Sequence, residues 1–464
     1  MSLAPAVISR KEAVFKPVDW LSFGLTLSVM LAGYLFTLAP QVTLGFGGIF
    51  STGAMYAGVP HPPGYPVWTI YAWLFTLLPV SNIAWRVALS SAVATSIACG
   101  LIALMVSRGG VEMAKSMAAF QSLSNKQKSA VQVVAGCVAG MAFGFDGGVW
   151  KNAVIADVWS LNLLLLCSVL SLLMRWFSEP ARLRYLYLAF LIYGLTFCNS
   201  QALLTAAFGL QILVMFGDPA VGREIFFANG LVLLPLFLPL GLEEYLHAGH
   251  LAPLYFFILV ASTVLWVGLV IRTPACLDRW RAALACGAMF VLGTTPYLYL
   301  PLASMTNPPM NWGYPRTVTG FFHVLTRGQY PLIHLADSVA SFVKQMQIYG
   351  EITVSEFGLP FLVLALIPFC FLRRLEPRQR SWILGSLAVY LCLVVFLMML
   401  LNLAPGRADR DFGVVFSSAS HIVPALWCGY GIILLASLLN RSRQPSIGIT
   451  RSQSAPGRLD PEGE

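Results

Sequence analysis

Runs of mostly apolar residues, each about twenty long, recur through this sequence, and they constrain its fold more than any other feature. Only a helix dissolved in lipid can bury so many such residues while satisfying its own backbone. The runs at 20–38, 83–107, 130–148, 153–174, 185–199, 201–216, 225–243, 250–271, 282–302, 357–372, 381–403 and 420–440 read as crossings, about twelve in all. The short pair flanking Asn199 also reads as one long bent helix. Residues 65–80 are apolar but too short to cross. They follow Pro62-Pro63-Gly64 and read as an interfacial or re-entrant helix. Of the 464 residues 58% are hydrophobic and 11% charged, too little charge to coat a soluble protein of this length. The predicted fold is an all-α polytopic membrane bundle. Its first outer loop bears the interfacial helix, and a long outer loop spans 303–356. Residues 1–19 form an N-terminal segment, 20–440 the transmembrane domain and 441–464 a disordered tail.

Charge sets the orientation. With the N-terminus in the cytoplasm and the sides alternating, all but seven of the 29 Lys and Arg residues fall in inside segments. The seven are Arg86, Lys151, Arg316, Arg327, Lys344, Arg407 and Arg410. A multi-pass protein with both termini cytoplasmic follows. The net charge of +9 is explained by those loops, and no interleaving of aromatic and basic residues points to nucleic acid. The nine cysteines are scattered singly through apolar runs, without a Cys-x-x-Cys, and read as small core residues. No ligand-spaced cluster calls for a metal, and no cofactor is implied.

Polar residues that could carry chemistry gather on the outer side. Residues 39–64 contain no Lys, Arg, Asp or Glu. There Val59-Pro60-His61-Pro62-Pro63-Gly64-Tyr65-Pro66 makes a rigid corner, because proline fixes the backbone and Gly64 permits a turn other residues resist. His61 sits at its tip, either as a cavity residue or as a chance His in an interface turn. Arg86 lies about one turn inside the next helix, placed to snorkel outward or to bind a phosphate. Asp157 is read as lying one or two turns inside the helix at 153–174, with Asp146 just before it on the same side. A carboxylate in the membrane is costly and normally has a partner or a role. Asn199 and Gln201 form a polar cluster that would also serve as interhelical hydrogen bonding. In the long loop, Asn311, Trp312, Arg316, Arg327 and Tyr330 bring amide, aromatic and basic groups suited to a sugar face and a phosphate. Arg407, Asp409, Arg410 and Asp411, then His421, close the set.

Taken in order, these motifs resemble a family. They are Thr37-Leu38-Ala39-Pro40, His61 to Pro66, Trp85-Arg86, Trp150, Asp157 to Asn162, Gly194-Leu195 with Asn199, Tyr297 to Pro301, and Asn311-Trp312-Gly313 with Pro315-Arg316. The set, spread over about residues 20–440, resembles a bacterial membrane family of uncharacterised domains related to an animal protein O-mannosyltransferase of plexin-type receptors, within the C-type (GT-C) glycosyltransferases. The resemblance implies a GT-C-like fold in a bacterial inner membrane. It implies a polyprenyl-phosphate-linked sugar as donor, a protein or glycan hydroxyl as acceptor, and membrane lipid as surroundings. A first-loop carboxylate would act as base and basic residues would hold the departing phosphate. Here the sequence departs from the family: Phe46-Gly47-Gly48-Ile49 stands where relatives carry Asp-Ser-Gly-Glu. Asp157 takes the place of a Glu, Ser200 the place of a His, and an Arg expected near Ala303 is missing. The resemblance therefore leaves Asp157, Asp146 and His61 as catalytic candidates. Tyr65, Arg86, Asn199, Gln201, Asn311, Trp312, Arg316 and Arg327 are the donor- or acceptor-binding candidates. A non-catalytic lipid- or glycan-binding relative is the alternative within the family. A transporter or flippase is the alternative outside it, expected to show repeated halves that this sequence lacks.

Overall fold

The computed structural model describes residues 14–238, 248–273, 275–330, 335–336, 338–403 and 406–439. Within them the chain is all-α, with a single isolated bridge between Val59 and Asn311. In chain order the helices are α1 (Pro17–Thr37), α2 (Gly47–Met55), α3 (Pro66–Thr76), α4 (Ile83–Ala114), α5 (Ala118–Gln121), α6 (Asn125–Gly144), α7 (Gly147–Ala153), α8 (Trp159–Ser178), α9 (Leu183–Asn199) and α10 (Ala207–Gly217). They continue with α11 (Pro219–Leu233), α12 (Ala248–Arg272), α13 (Trp280–Gly293), α14 (Tyr299–Met305), α15 (Val318–Leu325), α16 (Val339–Glu356), α17 (Leu359–Cys370), α18 (Pro377–Leu401) and α19 (Arg407–Leu439).

Local chemistry starts these helices where they start. Asn82 accepts from the Trp85 N–H at the head of α4, Ser124 and Gln127 form a reciprocal capping box on α6, and Asp218 caps α11. Asp19 reaches further. Buried to 1% exposure, it accepts from the Lys16 N–H and from Ser107 Oγ at 2.5 Å, tying the start of α1 to the far end of α4.

Interhelical packing rests on small residues, as expected where lipid supplies no hydrophobic drive between helices. Gly136, Gly140 and Gly144 recur every fourth residue along α6. A Cβ on Gly140 would lie 2.5 Å from the Cys99 carbonyl of α4 and 2.7 Å from Thr26 of α1. The same stripe brings Gly144 against Met30 and Cys99. Gly194 of α9 and Gly293 of α13 meet backbone to backbone in the same way.

The chain is an integral multi-pass membrane protein, but the expected count of about twelve crossings needs correction. Among the described residues eight helices are long and apolar enough to cross, or up to ten if each of two bent pairs is one span. The pairs are α6 with α7, bent by 74°, and α16 with α17, bent by 107°. The two remaining expected segments, Leu183–Asn199 and Gln201–Gly217, are shorter apolar helices, and the second opens with a 3-10 turn. Two boundaries change as well. The expected loop at 303–356 carries α15 and the whole of α16, and the helix expected from 153 begins only at Trp159. The segment at 65–80 is the eleven-residue α3, too short to span. Residues 1–13 and 440–464, read as most of the N-terminal segment and the tail, lie outside the described residues.

The glycine stripe yields a test. Gly140→Val forces α6 away from α1 and α4 and is expected to cost about 1–3 kcal/mol. Gly24→Ala, which meets nothing within 4 Å, is expected to leave the unfolding midpoint in detergent unchanged or raised. Equal midpoints for wild type and Gly140→Val would contradict the packing described.

Candidate functional site

Three separate stretches of chain are joined at one end of the bundle. The Val59 N–H donates to the Met310 carbonyl at 2.8 Å, and the Trp312 N–H donates to the Val59 carbonyl at 3.0 Å. The Tyr299 hydroxyl donates to the Ala57 carbonyl. Gln201 Nε2 donates to the Leu325 carbonyl at 2.8 Å, fixing the chain just before Arg327. Asn311 Nδ2 donates to the Ser304 carbonyl at 3.2 Å. The first loop and the long loop are thus fastened by main-chain bonds, which do not depend on rotamers.

His61 lies inside this junction. Its Nδ1 is 3.0 Å from the Pro62 carbonyl, which can only accept, so Nδ1 carries the proton and Nε2 keeps a lone pair. The Tyr330 hydroxyl is 3.3 Å from the same nitrogen. The ring packs against Phe46 at 4.6 Å, Tyr65 at 5.0 Å and Phe50 at 5.4 Å. Burial holds the imidazole below its ordinary pKa. The Pro62 hydrogen bond works against that shift, and the Arg327 charge adds to it. Arg327 places its guanidinium 4.9 Å over the Tyr330 ring. Tyr65 and Arg327 both hold positive φ, 42° and 59°. Non-glycine residues adopt that region at a cost, and such strain concentrates at functional sites. Burial pushes the Tyr65 hydroxyl well above the usual phenol range; the Arg327 charge works against that shift, and Tyr330 and Asp157 add to it.

Asp157 is adjacent. It sits in the break between α7 and α8, not inside a helix as the sequence suggested. Its Oδ1 accepts from the Trp159 N–H at 2.6 Å, and its carbonyl accepts from Trp68 Nε1 at 3.0 Å and Ser91 Oγ at 3.2 Å. Trp68 packs on Phe50, which packs on His61, so one aromatic row joins the two sites. Burial pushes the Asp157 carboxyl up to about 6, against the pull of the Trp159 hydrogen bond and the Lys151 charge. Asn199 Nδ2 donates to the Val158 carbonyl at 3.1 Å and to Asn162 Oδ1 at 2.8 Å. Several buried amide atoms around this break find no partner among the described residues: Asn152 Nδ2, Asn162 Nδ2 and Asn199 Oδ1. Asn311 Oδ1 and both amide atoms of Gln329, in the long loop, are in the same position. Buried polar atoms are rarely left so, and sugar hydroxyls are groups they could bind.

Four expected residues, Arg86, Arg316, Trp312 and Asp146, have their side chains elsewhere. Arg86 spends its donors on backbone carbonyls at the end of α3 and the turn after it: Thr76 at 2.8 Å, Val80 at 2.5 Å and Ser81 at 2.8 Å. Arg316 is exposed, holding Asn307 Oδ1 at 2.7 Å and lying 5.3 Å over Tyr314, and Trp312 stands 39% exposed beside it in sequence. Asp146 faces α19. Its Oδ1 caps α7 through the Val149 N–H at 3.1 Å, and its Oδ2 is 2.6 Å from His421 Nδ1. His421 Nε2 is 3.2 Å from Thr353 Oγ1, and the Asp146–His421 pair is almost wholly buried. Glu356 packs directly against Gly147. The two expected acids therefore bracket α7 and serve different clusters. Sequence reasoning missed Tyr330 as a neighbour of His61, and Thr353 and His421 as partners of Asp146. The sequence signal for His421 was a histidine followed by an unbroken apolar run. Among the described residues no group of three or more His, Cys, Asp or Glu could hold a metal ion. Arg410 pairs with Glu351 at 3.3 Å, while the side chains of Arg407 and Asp409 lie outside the described residues.

Residues 48–221 match the model of the protein O-mannosyl-transferase TMEM260 N-terminal domain. The chain is homologous to the TMEM260 proteins. It is 25% identical to the mouse protein O-mannosyl-transferase TMEM260 over 421 residues, covering 88% of this chain and 49% of that protein. It is 23% identical to the Dictyostelium discoideum protein over 426 residues, covering 88% of this chain and 44% of that one. The chain thus spans about half the length of the curated relatives it matches. The matched segment contains His61, Tyr65, Arg86, Asp146, Asp157, Asn199 and Gln201, while the long-loop residues lie beyond it. Among solved structures, ArnT from Cupriavidus metallidurans bound to undecaprenyl phosphate is similar over 92% of this chain and 79% of that one. The identity is 14% and the TM-score 0.28, too low to compare helix arrangements.

The raised Asp157 pKa makes stability depend on pH. The unfolded chain releases this proton near the ordinary carboxylate value, the folded chain only near 6. Between those values the folded state binds more protons, so stability falls as pH rises through the window and stays lower above it. Asp157→Asn is expected to unfold at a higher temperature than wild type at about pH 7.5 and at the same temperature at about pH 4. Thermal unfolding in detergent that shows no gain at the higher pH would contradict the burial of this carboxyl.

Proposed function

We propose that this chain is a diverged membrane glycosyltransferase-like protein of the GT-C type. In this reading it takes a mannose-like sugar from a polyprenyl-phosphate donor and transfers it to an acceptor hydroxyl at the outer face. The observation that carries the reading is the meeting of His61, Tyr65, Arg327 and Tyr330 with Asp157, within and beside a segment homologous to protein O-mannosyl-transferases. The whole activity of those longer relatives comes to this chain only as part of the proposal.

Asp157 takes the part of the base. The acceptor oxygen attacks the anomeric carbon from the face opposite the phosphate, forming the new glycosidic bond as the bond to the phosphate oxygen breaks. The hydroxyl proton goes to the Asp157 carboxylate, and the phosphate leaves with the bonding pair, its charge met by Arg327. A carboxyl poised near 6 is largely ionised at neutral pH and basic enough to help. Phe46, at the place where the resemblance implies an acid, packs on His61. That aromatic contact favours a second reading, a non-catalytic relative that still binds the lipid-linked sugar.

Transfer of labelled sugar from polyprenyl-phosphate donors in membranes separates these readings. Wild type is expected to transfer, with a rate that rises with pH through about 6 as Asp157 ionises. Asp157→Asn is expected to lower the rate by about 10²–10⁴-fold, and Arg327→Ala to raise the KM for the donor. Transfer by Asp157→Asn at the wild-type rate rules out Asp157 as base. Donor binding without transfer by wild type leaves the non-catalytic reading.

A further inference from the structure

The far end of the bundle holds a second binding feature, independent of the sugar-transfer reading. A groove of about 520 Å³ lies between α1, α4, α8 and α9, a volume in the ordinary range for ligand sites. Trp20, Leu101, Leu104, Leu172 and Ile192 form its apolar walls, and α8 adds Ser171 and Arg175. Arg175 is sixteen positions beyond Trp159, where α8 begins, so it sits about 24 Å along the helix from the Asp157 break.

Polar groups on α8 are spaced along this groove. Ser171 is buried to 9% exposure, and its hydroxyl has no hydrogen-bond partner among the described residues. Arg175 lies one turn further along the same face, about 6 Å toward the helix end. Its guanidinium is 4.8 Å over the Tyr185 ring, and Arg184 lies 4.8 Å over the same ring while donating to the Tyr185 hydroxyl at 2.8 Å. The nearby acids are occupied, Glu179 by Arg182 at 2.5 Å and Glu112 by Arg108 at 2.9 Å. Among the described residues no carboxylate pairs with Arg175 or Arg184. An unneutralised guanidinium at the mouth, a second one beside it on the same tyrosine ring, an unpartnered hydroxyl one turn deeper and an apolar channel beyond match the order of groups in one kind of molecule.

We propose that this groove binds a glycerophospholipid with an anionic headgroup. Its phosphate is met by Arg175 and Arg184, an ester carbonyl accepts from Ser171, and one acyl chain lies along the apolar walls. The spacing distinguishes this ligand from a polyprenyl phosphate, which has a phosphate and an apolar chain but no ester carbonyl for Ser171.

Native mass spectrometry of the full chain in detergent tests the assignment by titration with phosphatidylglycerol, phosphatidylcholine and a polyprenyl phosphate. Phosphatidylglycerol is expected to bind most tightly. Arg175→Gln with Arg184→Gln is expected to weaken it by about fivefold per charge removed. Ser171→Ala removes a hydroxyl that has no partner among the described residues, so the fold is retained. It is expected to weaken phosphatidylglycerol several-fold and leave polyprenyl phosphate unchanged. Equal binding of phosphatidylglycerol and phosphatidylcholine, or wild-type binding by the double arginine variant, overturns the headgroup assignment. Wild-type binding of phosphatidylglycerol by Ser171→Ala overturns the place of the ester.

Discussion

A chain inside a bilayer has no water with which to satisfy a broken helix, so every exposed peptide group must find its partner in the protein. The break between α7 and α8 finds such partners for three of its carbonyls. The Val154 carbonyl accepts from the Ala39 N–H at 2.9 Å. The Asp157 carbonyl takes Trp68 and Ser91, and the Val158 carbonyl takes Asn199. One five-residue gap thereby draws in the first loop, α3, α4 and α9. The position of Asp157 follows from those bonds and not from helix propensity. The same bonds bring it within reach of the aromatic row that ends at His61.

A second break obeys the same rule with different chemistry. The turn between α6 and α7 and the turn between α16 and α17 meet near His421 of the unbroken α19, with Asp146 and Thr353 on its two ring nitrogens. Asp146 also caps α7, so one carboxylate holds a helix start and a buried histidine together. A buried pair of this kind is costly to break once formed, which suits a brace between two bent spans. The groove at the opposite end, lined from within four helices, needs no break at all. There side chains of α1, α4, α8 and α9 define the feature.

The sequence carried the membrane class plainly, because lipid imposes long apolar runs. All twelve expected segments contain helix. The count fell to ten because Leu183–Asn199 and Gln201–Gly217 are short, and to eight if the bends at 145–146 and 357–358, which a sequence pattern does not reveal, break their spans. The GxxxG stripe of α6 was present in the letters yet unread, since a glycine's role there is set by what approaches it. Of the site, His61, Tyr65, Asp157 and Arg327 were legible from their types and places, and the structure brings them together. Arg86 was not legible in this way. An arginine near a helix end reads alike whether it faces a ligand or, as here, three carbonyls of its own chain. The Asp146–His421 contact joins residues 275 positions apart in sequence, beyond the reach of local pattern.

The account stands on the fastening of the first loop to the long loop above the Asp157 break. Cysteine cross-linking measures it most directly, with Val59→Cys and Asn311→Cys placed together in a background freed of the native cysteines. The bridge between these residues sets their Cα atoms within disulfide range. Mild oxidation in membranes is expected to give a rapid, near-complete intramolecular disulfide, while Val59→Cys paired with Leu78→Cys at the end of α3 stays reduced. A first pair that stays reduced, or that reacts no faster than the control, would contradict the convergence on which the site depends.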